Sequence, residues 1–248
     1  MVSRGIYVFV LWAAILPLSR SSITYGPYPQ CHGELQGTVI VWNRIIGIVG
    51  PTGSGKSYMA AKIMAECQRA AVYQIVREDT NYLASATDFF DGDIRGFAVA
   101  LGEDNFRYVY RVGPGKRVEK NRFVLPDFEW FIRACFERKH MMMIIDEAHF
   151  LCNVKYCPPY LWESVVTGRH MYLDICYVTQ RLSMVHHDIT ANTHEFYFWR
   201  NTEPGDLQRI VERCGPDIAD QVAVLRKTQD ERRNGGQLIP GEMLRWTA

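Results

Sequence analysis

The sequence predicts an α/β fold with a mainly parallel central sheet and helices on both of its faces. Short apolar runs alternate along the chain with segments of helical spacing, the pattern of strands joined by crossover helices. One run, MMMIID, is apolar on all sides, as expected of a central parallel strand covered on both faces. A glycine-rich turn between an apolar run and a helical segment, within residues 47–62, is the third indication.

The elements follow in order from local patterns. RIIGIV is a short buried strand, and KSYMAAKIMAECQRA after it has helical spacing and good helix formers. LPDFEWFIRACFERKH begins with Pro and Asp and places Phe128, Phe131, Ile132, Cys135 and Phe136 on one helical face. NYLASATDFFDGD is interpreted as a short helix and a turn. Further strands are AAVYQIV, NFRYVYRVG, YLDICYVTQ and EFYFW, and further helices are PPYLWESVVTGRH, RLSMVHHDITANT and EPGDLQRIVERCG.

Composition and charge suit one globular domain. The 248 residues are 48% apolar and 22% charged, with a formal net charge of +1. This argues against a global basic surface, so any nucleic-acid site must be local. Seven scattered cysteines predict reduced thiols in cytoplasm. The spacing of His149, Cys152 and Cys157 matches no usual pair of zinc ligands, so we predict no zinc site there.

Three segments are predicted: residues 1–37 as an apolar N-terminal segment and linker, 38–226 as the α/β domain, and 227–248 as a polar C-terminal tail. The apolar run at residues 5–18 is short for a membrane span but has the length of a signal peptide's apolar core. Three interpretations stay open. It is a membrane-associating segment, a packed N-terminal extension, or a translated stretch outside the working protein.

The glycine-rich turn carries the first chemical motif. It fits the phosphate-binding pattern G-x-x-x-x-G-K-[ST] with Gly50, Pro51, Thr52, Gly53, Ser54, Gly55, Lys56 and Ser57. Such a turn points successive backbone N–H groups at phosphate oxygens, and the following helix N-terminus adds a partial positive charge. Lys56 is expected to reach the β- and γ-phosphates, and Ser57 to ligate Mg²⁺. With Tyr58, these residues form the predicted binding site for ATP and Mg²⁺.

The second motif is the acidic pair that ends MMMIIDEAHF. We predict that Asp146 organises Mg²⁺ and that Glu147 polarises the attacking water. A glutamate directly after this aspartate favours an ATPase that drives motion over a small-molecule kinase or a signalling GTPase. The letters DEAH also mark a helicase family that needs two such domains, and we expect this match to be accidental. His149 is then either a packed residue or a neighbour of the site.

A third polar residue is predicted at the same edge of the sheet. The strand that ends in VTQR places Gln180 beside Glu147, where its amide could hydrogen-bond the γ-phosphate or the attacking water. An ordinary polar residue at a strand end is the alternative interpretation.

Residues 167–210 carry a family resemblance. In order, the segment has an RH turn at Arg169 and His170, a strand ending in TQR at Thr179 to Arg181, a helix, a strand, and an R-x-T-E-P-x-D turn from Arg200 to Asp206. With the two motifs above, the chain closely resembles the FtsK–HerA superfamily of DNA-pumping ATPases over about residues 44–225. It looks most like the genome-packaging ATPases of membrane-containing tailless viruses. A similar RH…DIC…T pattern occurs in zonula occludens toxin-like proteins of filamentous phages.

The resemblance implies a RecA-like P-loop NTPase that forms a homohexameric ring and translocates double-stranded DNA, here to package a viral genome. Each ATP site would lie at a subunit boundary and need an arginine from the neighbour, worth roughly 10³ to 10⁵ in rate. Arg169 is the candidate, with Arg181 and Arg200 as runners-up. The alternative function is a membrane-associated ATPase for filamentous virion assembly or export. A nucleotide-dependent scaffold or a small-molecule kinase is a further alternative.

Partners and location follow as expectations. A pore that grips phosphates without reading bases needs cationic groups on loops, although most charged runs are solvated faces. The candidates for DNA contact are Lys116, Arg117, Lys120, Arg122, Arg226, Lys227, Arg232 and Arg233. We expect the protein in the host cytoplasm or at the virion vertex, with association to a membrane through residues 5–18 as a further possibility. A membrane or a virion vertex protein is a candidate partner beside DNA.

Overall fold

The computed structural model describes residues 44–76, 80–112, 126–167, 172–227 and 241–248, together with the backbone of three short strands, at 7–10, 229–230 and 238–239. The strands are β1 Tyr7–Val10, β2 Ile45–Val49, β3 Arg69–Gln74, β4 Asp88–Asp91, β5 Phe106–Arg111, β6 Met141–Ile145, β7 Leu173–Thr179, β8 Glu195–Trp199, β9 Gln229–Asp230, β10 Leu238–Ile239 and β11 Glu242–Thr247. The helices are α1 Lys56–Glu66, α2 Ile94–Ala100, α3 Pro126–Arg138, α4 Ala148–Leu151, α5 Pro159–Thr167, α6 His187–Ala191, α7 Pro204–Cys214 and α8 Pro216–Val224.

In the described part of the chain, nine strands form one sheet in the order β1-β11-β8-β2-β7-β6-β3-β5-β4. The pairs from β8 to β4 are parallel, and β11 pairs antiparallel with both β8 and β1. The strand β7 lies between β2 and β6. The chain that leaves β7 therefore emerges between the turn after β2 and the acidic pair after β6.

The sheet is covered on both faces, because alternate residues of each strand point to opposite sides. In β2, Ile45 and Val49 belong to one buried apolar cluster, whereas Ile46 and Ile48 belong to another. The first cluster includes the predicted apolar face of α3, which is buried as expected. The second includes buried residues of α1. The predicted α/β fold with helices on both faces is thus confirmed.

Three local features differ from the sequence-based expectations. Asp88–Asp91, expected within a helix and a turn, forms β4, because it pairs in parallel with β5. The segment RLSMVHHDITANT holds a single turn of 3₁₀ helix, Leu182–Met184, and the short helix α6 rather than one helix.

The third difference concerns the chain ends. Part of the predicted polar tail, Glu242–Thr247, is the sheet strand β11, and Tyr7–Val10 of the predicted N-terminal segment pairs with it. Met243 and Leu244 of β11 are buried in the second and the first apolar cluster, so this strand contributes to the core on both faces of the sheet. The division of the chain into domains otherwise stays a prediction. No helix within the described residues is both long and apolar enough to cross a membrane.

Candidate active site

The phosphate-binding turn has the backbone that its glycines allow. The strand β2 ends at Val49 and α1 begins at Lys56, so residues 50–55 form the turn. Gly55 has a φ of 102°, a left-handed conformation that favours glycine. Gly50 lies against β8, the neighbour of β2 in the sheet. A Cβ added to Gly50 would stand 2.8 Å from the Cβ of Trp199 at the end of β8. The end of β8 therefore forms a wall beside the turn.

Lys56 lies in the first turn of α1 and points back across the loop. Its side chain is buried, and Nζ donates a hydrogen bond to the carbonyl oxygen of Pro51 at 2.8 Å. The ammonium group is thus held against the residues that would cradle phosphate. Ser57 follows in the same turn and is partly exposed, and Tyr58 is half exposed. The helix N-terminus adds its partial positive charge at this position.

The acidic pair leaves the sheet at the end of β6. Asp146 is buried, and its N–H donates to the carbonyl oxygen of Tyr73 at 3.1 Å, which extends the β6–β3 pairing by one residue. Its Oδ1 accepts the N–H of Glu147 at 3.1 Å. Glu147 has φ 50° and ψ 47°, a left-handed conformation that costs about 1–2 kcal/mol for a side-chain-bearing residue. Such strain persists where the surrounding structure holds it, as at many functional sites.

Gln180 joins the two motifs. Its Nε2 donates to Glu147 Oε1 at 2.8 Å, and its Oε1 accepts the hydroxyl of Thr52 at 2.9 Å. Both ends of the amide are thereby used, one on the acidic pair and one on the phosphate-binding turn. This geometry follows from the strand order, because β7 lies between β2 and β6.

The second oxygen of the Glu147 carboxylate has a different surrounding. Among the described residues, Oε2 has no hydrogen-bond partner although it is buried. His149 Nδ1 lies 3.5 Å from it and 3.2 Å from the hydroxyl of Thr179. Burial lowers the pKa of His149, while the Glu147 charge opposes that effect. A carboxylate oxygen without a hydrogen-bond donor is a free base for an attacking water.

The donor set fits the predicted ligands. A serine hydroxyl at Ser57 and a carboxylate at Asp146 are the hard oxygen donors that Mg²⁺ prefers beside substrate phosphates. The orphan oxygen of Glu147 and the inward Lys56 are the groups that hydrolysis of a nucleoside triphosphate needs. The arrangement can therefore bind a nucleotide with Mg²⁺ and deprotonate a water.

The three arginine candidates stand differently. Arg169 lies outside the described residues. Arg181 is engaged within its own chain, with Nε 3.1 Å from Asp206 Oδ2 and a terminal nitrogen 3.4 Å from Glu203 Oε2. Arg200, directly after β8, has a buried Nε that has no hydrogen-bond partner among the described residues.

Two of the eight candidates for DNA contact lie in the described part of the chain. Arg226 and Lys227 are exposed, and Arg226 is near Glu242, whose Oε2 accepts its backbone N–H at 2.9 Å. The others lie outside the described residues: Lys116, Arg117, Lys120, Arg122, Arg232 and Arg233.

Two contacts were missing from the sequence-based picture. Trp199 packs against the phosphate-binding turn, and the hydroxyl of Thr52 donates a hydrogen bond to Gln180. No local pattern indicates either, since both depend on which strands are neighbours. His149 lies beside the site, within 3.5 Å of Glu147 and 3.2 Å of the Thr179 hydroxyl, in agreement with its interpretation as a neighbour of the site.

Neither a protein-family model nor a curated protein sequence matches the chain. Among solved structures, the genome-packaging NTPase B204 from Sulfolobus turreted icosahedral virus 2, in complex with ATPγS, aligns with a TM-score of 0.58 and 18% identity. The alignment covers 75% of this chain and 89% of that one. B204, the DNA-packaging ATPase from Sulfolobus turreted icosahedral virus, aligns with a TM-score of 0.58 and 18% identity over 76% and 91% of the two chains.

The N-terminal domain of the zonular occludens toxin from Neisseria meningitidis aligns less well, with a TM-score of 0.40 and 18% identity over 66% of this chain and 80% of that one. A match at that level carries no argument for the alternative function. At 18% identity the B204 structures show that the fold is shared. The chain thus shares its fold with the B204 structures, which confirms the predicted α/β, RecA-like P-loop NTPase fold.

Proposed function

We propose that the protein is an ATPase that translocates double-stranded DNA and packages a viral genome. The observation that carries the ATPase part is the hydrogen-bonded connection from Thr52 through Gln180 to Glu147. It joins the nucleotide-binding turn to the carboxylate that would activate water. The DNA part is supported by the fold shared with B204, which is a DNA-packaging ATPase, and by the ordered motifs from Arg169 to Asp206.

Nucleotide binding falls to the turn and α1. Backbone N–H groups of residues 52–57 and the Lys56 ammonium would bind the phosphates, and Ser57 and Asp146 would hold Mg²⁺. When bound, Mg²⁺ would neutralise charge on the phosphate oxygens. Lys56 is already directed across the loop by its bond to Pro51, so little rearrangement is needed to exchange that carbonyl for phosphate.

Hydrolysis falls to Glu147 and Gln180. The Glu147 carboxylate takes a proton from the attacking water, whose oxygen bonds to the γ-phosphorus as the bond to the ADP oxygen breaks. Oε2 is the oxygen suited to this step, because the Gln180 amide occupies Oε1. Gln180 touches both the turn and the base, so it is placed to relate the presence of the γ-phosphate to the orientation of Glu147.

The site in one chain is incomplete without an arginine from outside. Arg181 is paired to Asp206 and Glu203 of its own chain, which argues against a role for it in a neighbour's site. Arg169 remains the proposed arginine in trans, and a homohexameric ring is the assembly that would supply it. The host cytoplasm or the virion vertex is the proposed location.

The test is the steady-state rate of ATP hydrolysis by the purified full chain, with and without long double-stranded DNA. Lys56→Ala provides the blank, because it removes the phosphate-binding cation. Hydrolysis that duplex DNA stimulates strongly is the expected result. Hydrolysis indifferent to DNA would overturn translocation and favour the virion-assembly alternative, and no hydrolysis above the blank would overturn the ATPase itself.

A further inference from the structure

His149 lies inside the site, although none of the roles above uses it. Its side chain is only 6% exposed, and its Nδ1 faces two groups, the Glu147 carboxylate and the Thr179 hydroxyl. The first follows β6 and the second ends β7. The imidazole therefore lies between the ends of the two strands that carry Glu147 and Gln180.

The local backbone explains how residues two apart in sequence come to face one another. In a regular helix, side chains at positions i and i+2 point to different sides. Glu147 precedes α4 in a left-handed conformation, and this turn brings its carboxylate to the side of the helix where His149 lies. The His149 ring also packs on Phe150, with the ring centroids 4.1 Å apart. The strained backbone of Glu147 is thus part of the geometry that makes the contact.

The charge state suits a neutral donor. Burial lowers the pKa of His149, so the ring is neutral at neutral pH. A neutral imidazole has one N–H donor and one acceptor nitrogen. An N–H on Nδ1 is favoured by both acceptors that it faces. One is the Thr179 hydroxyl, whose own proton is donated to the carbonyl oxygen of Arg181. The other is Glu147 Oε2 at 3.5 Å, which has no hydrogen-bond partner among the described residues. A neutral donor restrains the carboxylate and leaves it a better base than a full ion pair would.

We propose that His149 is a positioning residue for Glu147, which it holds through Nδ1–H at Oε2 while the Gln180 amide holds Oε1. The two neighbours together keep the carboxylate in the orientation from which the second lone pair of Oε2, which the imidazole does not use, accepts a proton from water. This inference rests on the proposed ATPase function. Without His149 the carboxylate is restrained on one oxygen only, and misplacement of a catalytic group by about 1 Å can cost about 100-fold in rate.

Three substitutions at one position separate the donor from the packing. In His149→Asn the amide nitrogen lies near the place of Nδ1, whereas in His149→Gln it lies near that of Nε2. His149→Leu keeps similar volume and has no donor. We expect kcat to fall about 10- to 100-fold in the Leu variant and in the Gln variant, and about 3-fold or less in the Asn variant. The dissociation constant for a non-hydrolysable ATP analogue should stay within about 2-fold in all three, since no phosphate contact is removed.

A double substitution tests whether the effect passes through Glu147. In the Glu147→Gln background, His149→Leu should lower the residual rate no further, because the carboxylate that it positions is already gone. An equal loss in both backgrounds would overturn the proposal and indicate a general structural role. So would wild-type kcat in His149→Leu, or an Asn variant as slow as the Gln variant.

The outcomes distinguish this inference from the function on which it rests. If His149→Leu does not fold, as judged by its thermal unfolding, the comparison of the Asn and Gln variants decides the question alone. Full activity in Glu147→Gln would overturn the assigned role of Glu147 and with it the role of His149, whereas a wild type without hydrolysis above the blank would overturn the proposed ATPase function itself. An inactive Glu147→Gln beside a fully active His149→Leu would overturn only the role of His149.

Discussion

Glu147 and Glu195 are both carboxylates at strand ends of the same sheet, but their surroundings are opposite. Glu195 begins β8 and is nearly buried, and Arg44 and Arg245 both bind its carboxylate, with Arg245 Nε 2.6 Å from Oε1. Burial alone would raise the pKa of Glu195, but Arg44, Tyr197 and Arg245 outweigh it and lower the pKa. The Glu147 carboxylate is contacted by two neutral side chains, Gln180 and His149, and within the described part of the chain its Oε2 has no hydrogen-bond partner.

The difference separates a structural carboxylate, Glu195, from the proposed reactive carboxylate, Glu147. A glutamate held by two guanidinium groups is a poor base, because its charge is already compensated. It does, however, join three places in the chain, since Arg44 precedes β2 and Arg245 lies in β11. A glutamate with neutral neighbours and a strained backbone contributes less to stability and stays available to take a proton.

The largest effect is expected at the reactive carboxylate. Glu147→Gln keeps the size of the side chain and removes the base, so kcat should fall about 10²- to 10⁴-fold. Affinity for a non-hydrolysable ATP analogue and the free energy of unfolding should change little. The measurements are steady-state turnover, analogue binding and urea unfolding. A kcat within about 10-fold of the wild type would show that Glu147 is not the base.

At the structural carboxylate the expectation is reversed. Glu195→Gln leaves Arg44 and Arg245 without their counter-charge, and the free energy of unfolding should fall by about 2 kcal/mol, less than for fully buried pairs because both arginines reach solvent. Turnover of the folded protein should stay unchanged, since β8 separates Glu195 from the end of the sheet near the turn. Urea unfolding and kcat of one preparation test both. A loss of kcat without loss of stability would contradict the structural role of Glu195.

The pH dependence of stability should carry the same signature. The pKa of Glu195 is lower in the folded state than its ordinary value of about 4.3, so its contribution is present above that value and is lost as the pH falls through the folded pKa. The stability of the wild type should therefore drop below about pH 4.3 more steeply than that of Glu195→Gln. Urea midpoints of the two proteins between neutral and acidic pH measure this. Parallel curves would contradict the assignment.

The smallest effect is expected at the hydrogen bond between Thr52 of the turn and Gln180, which in turn contacts Glu147. Thr52→Val removes the hydroxyl that donates to Gln180 and keeps the shape, and one lost hydrogen bond should lower kcat about 5-fold. Thr52→Ser keeps the hydroxyl and is the matched control. Both variants should unfold at the wild-type midpoint, because the bond is exposed to solvent. Equal rates in the Val variant and the wild type would remove this bond from the mechanism.

Much of the site could be predicted because its parts are local. A strand, a glycine-rich turn and a helix occupy residues 45–66 without interruption, so the sequence contains the whole phosphate-binding unit. The same holds for Asp146 and Glu147 at the end of β6, and for the apolar face of α3. The sequence-based assignment is wrong where the pairing of strands decides the secondary structure. The segment Asp88–Asp91 has no strong strand pattern and becomes a strand because β5 accepts it as a neighbour.

The α/β class, the glycine-rich turn, the acidic pair and the polar residue at the end of β7 can be predicted from the sequence, because each depends on a short run of residues. Three features depend on the tertiary structure: Thr52 binds Gln180, Arg181 is paired within its own chain, and β11 joins the sheet beside β8. The tertiary structure also decided between the two interpretations of His149. These contacts join strands far apart in sequence, and their neighbours are selected by the burial of both sheet faces and the pairing of backbone groups, which no local pattern records.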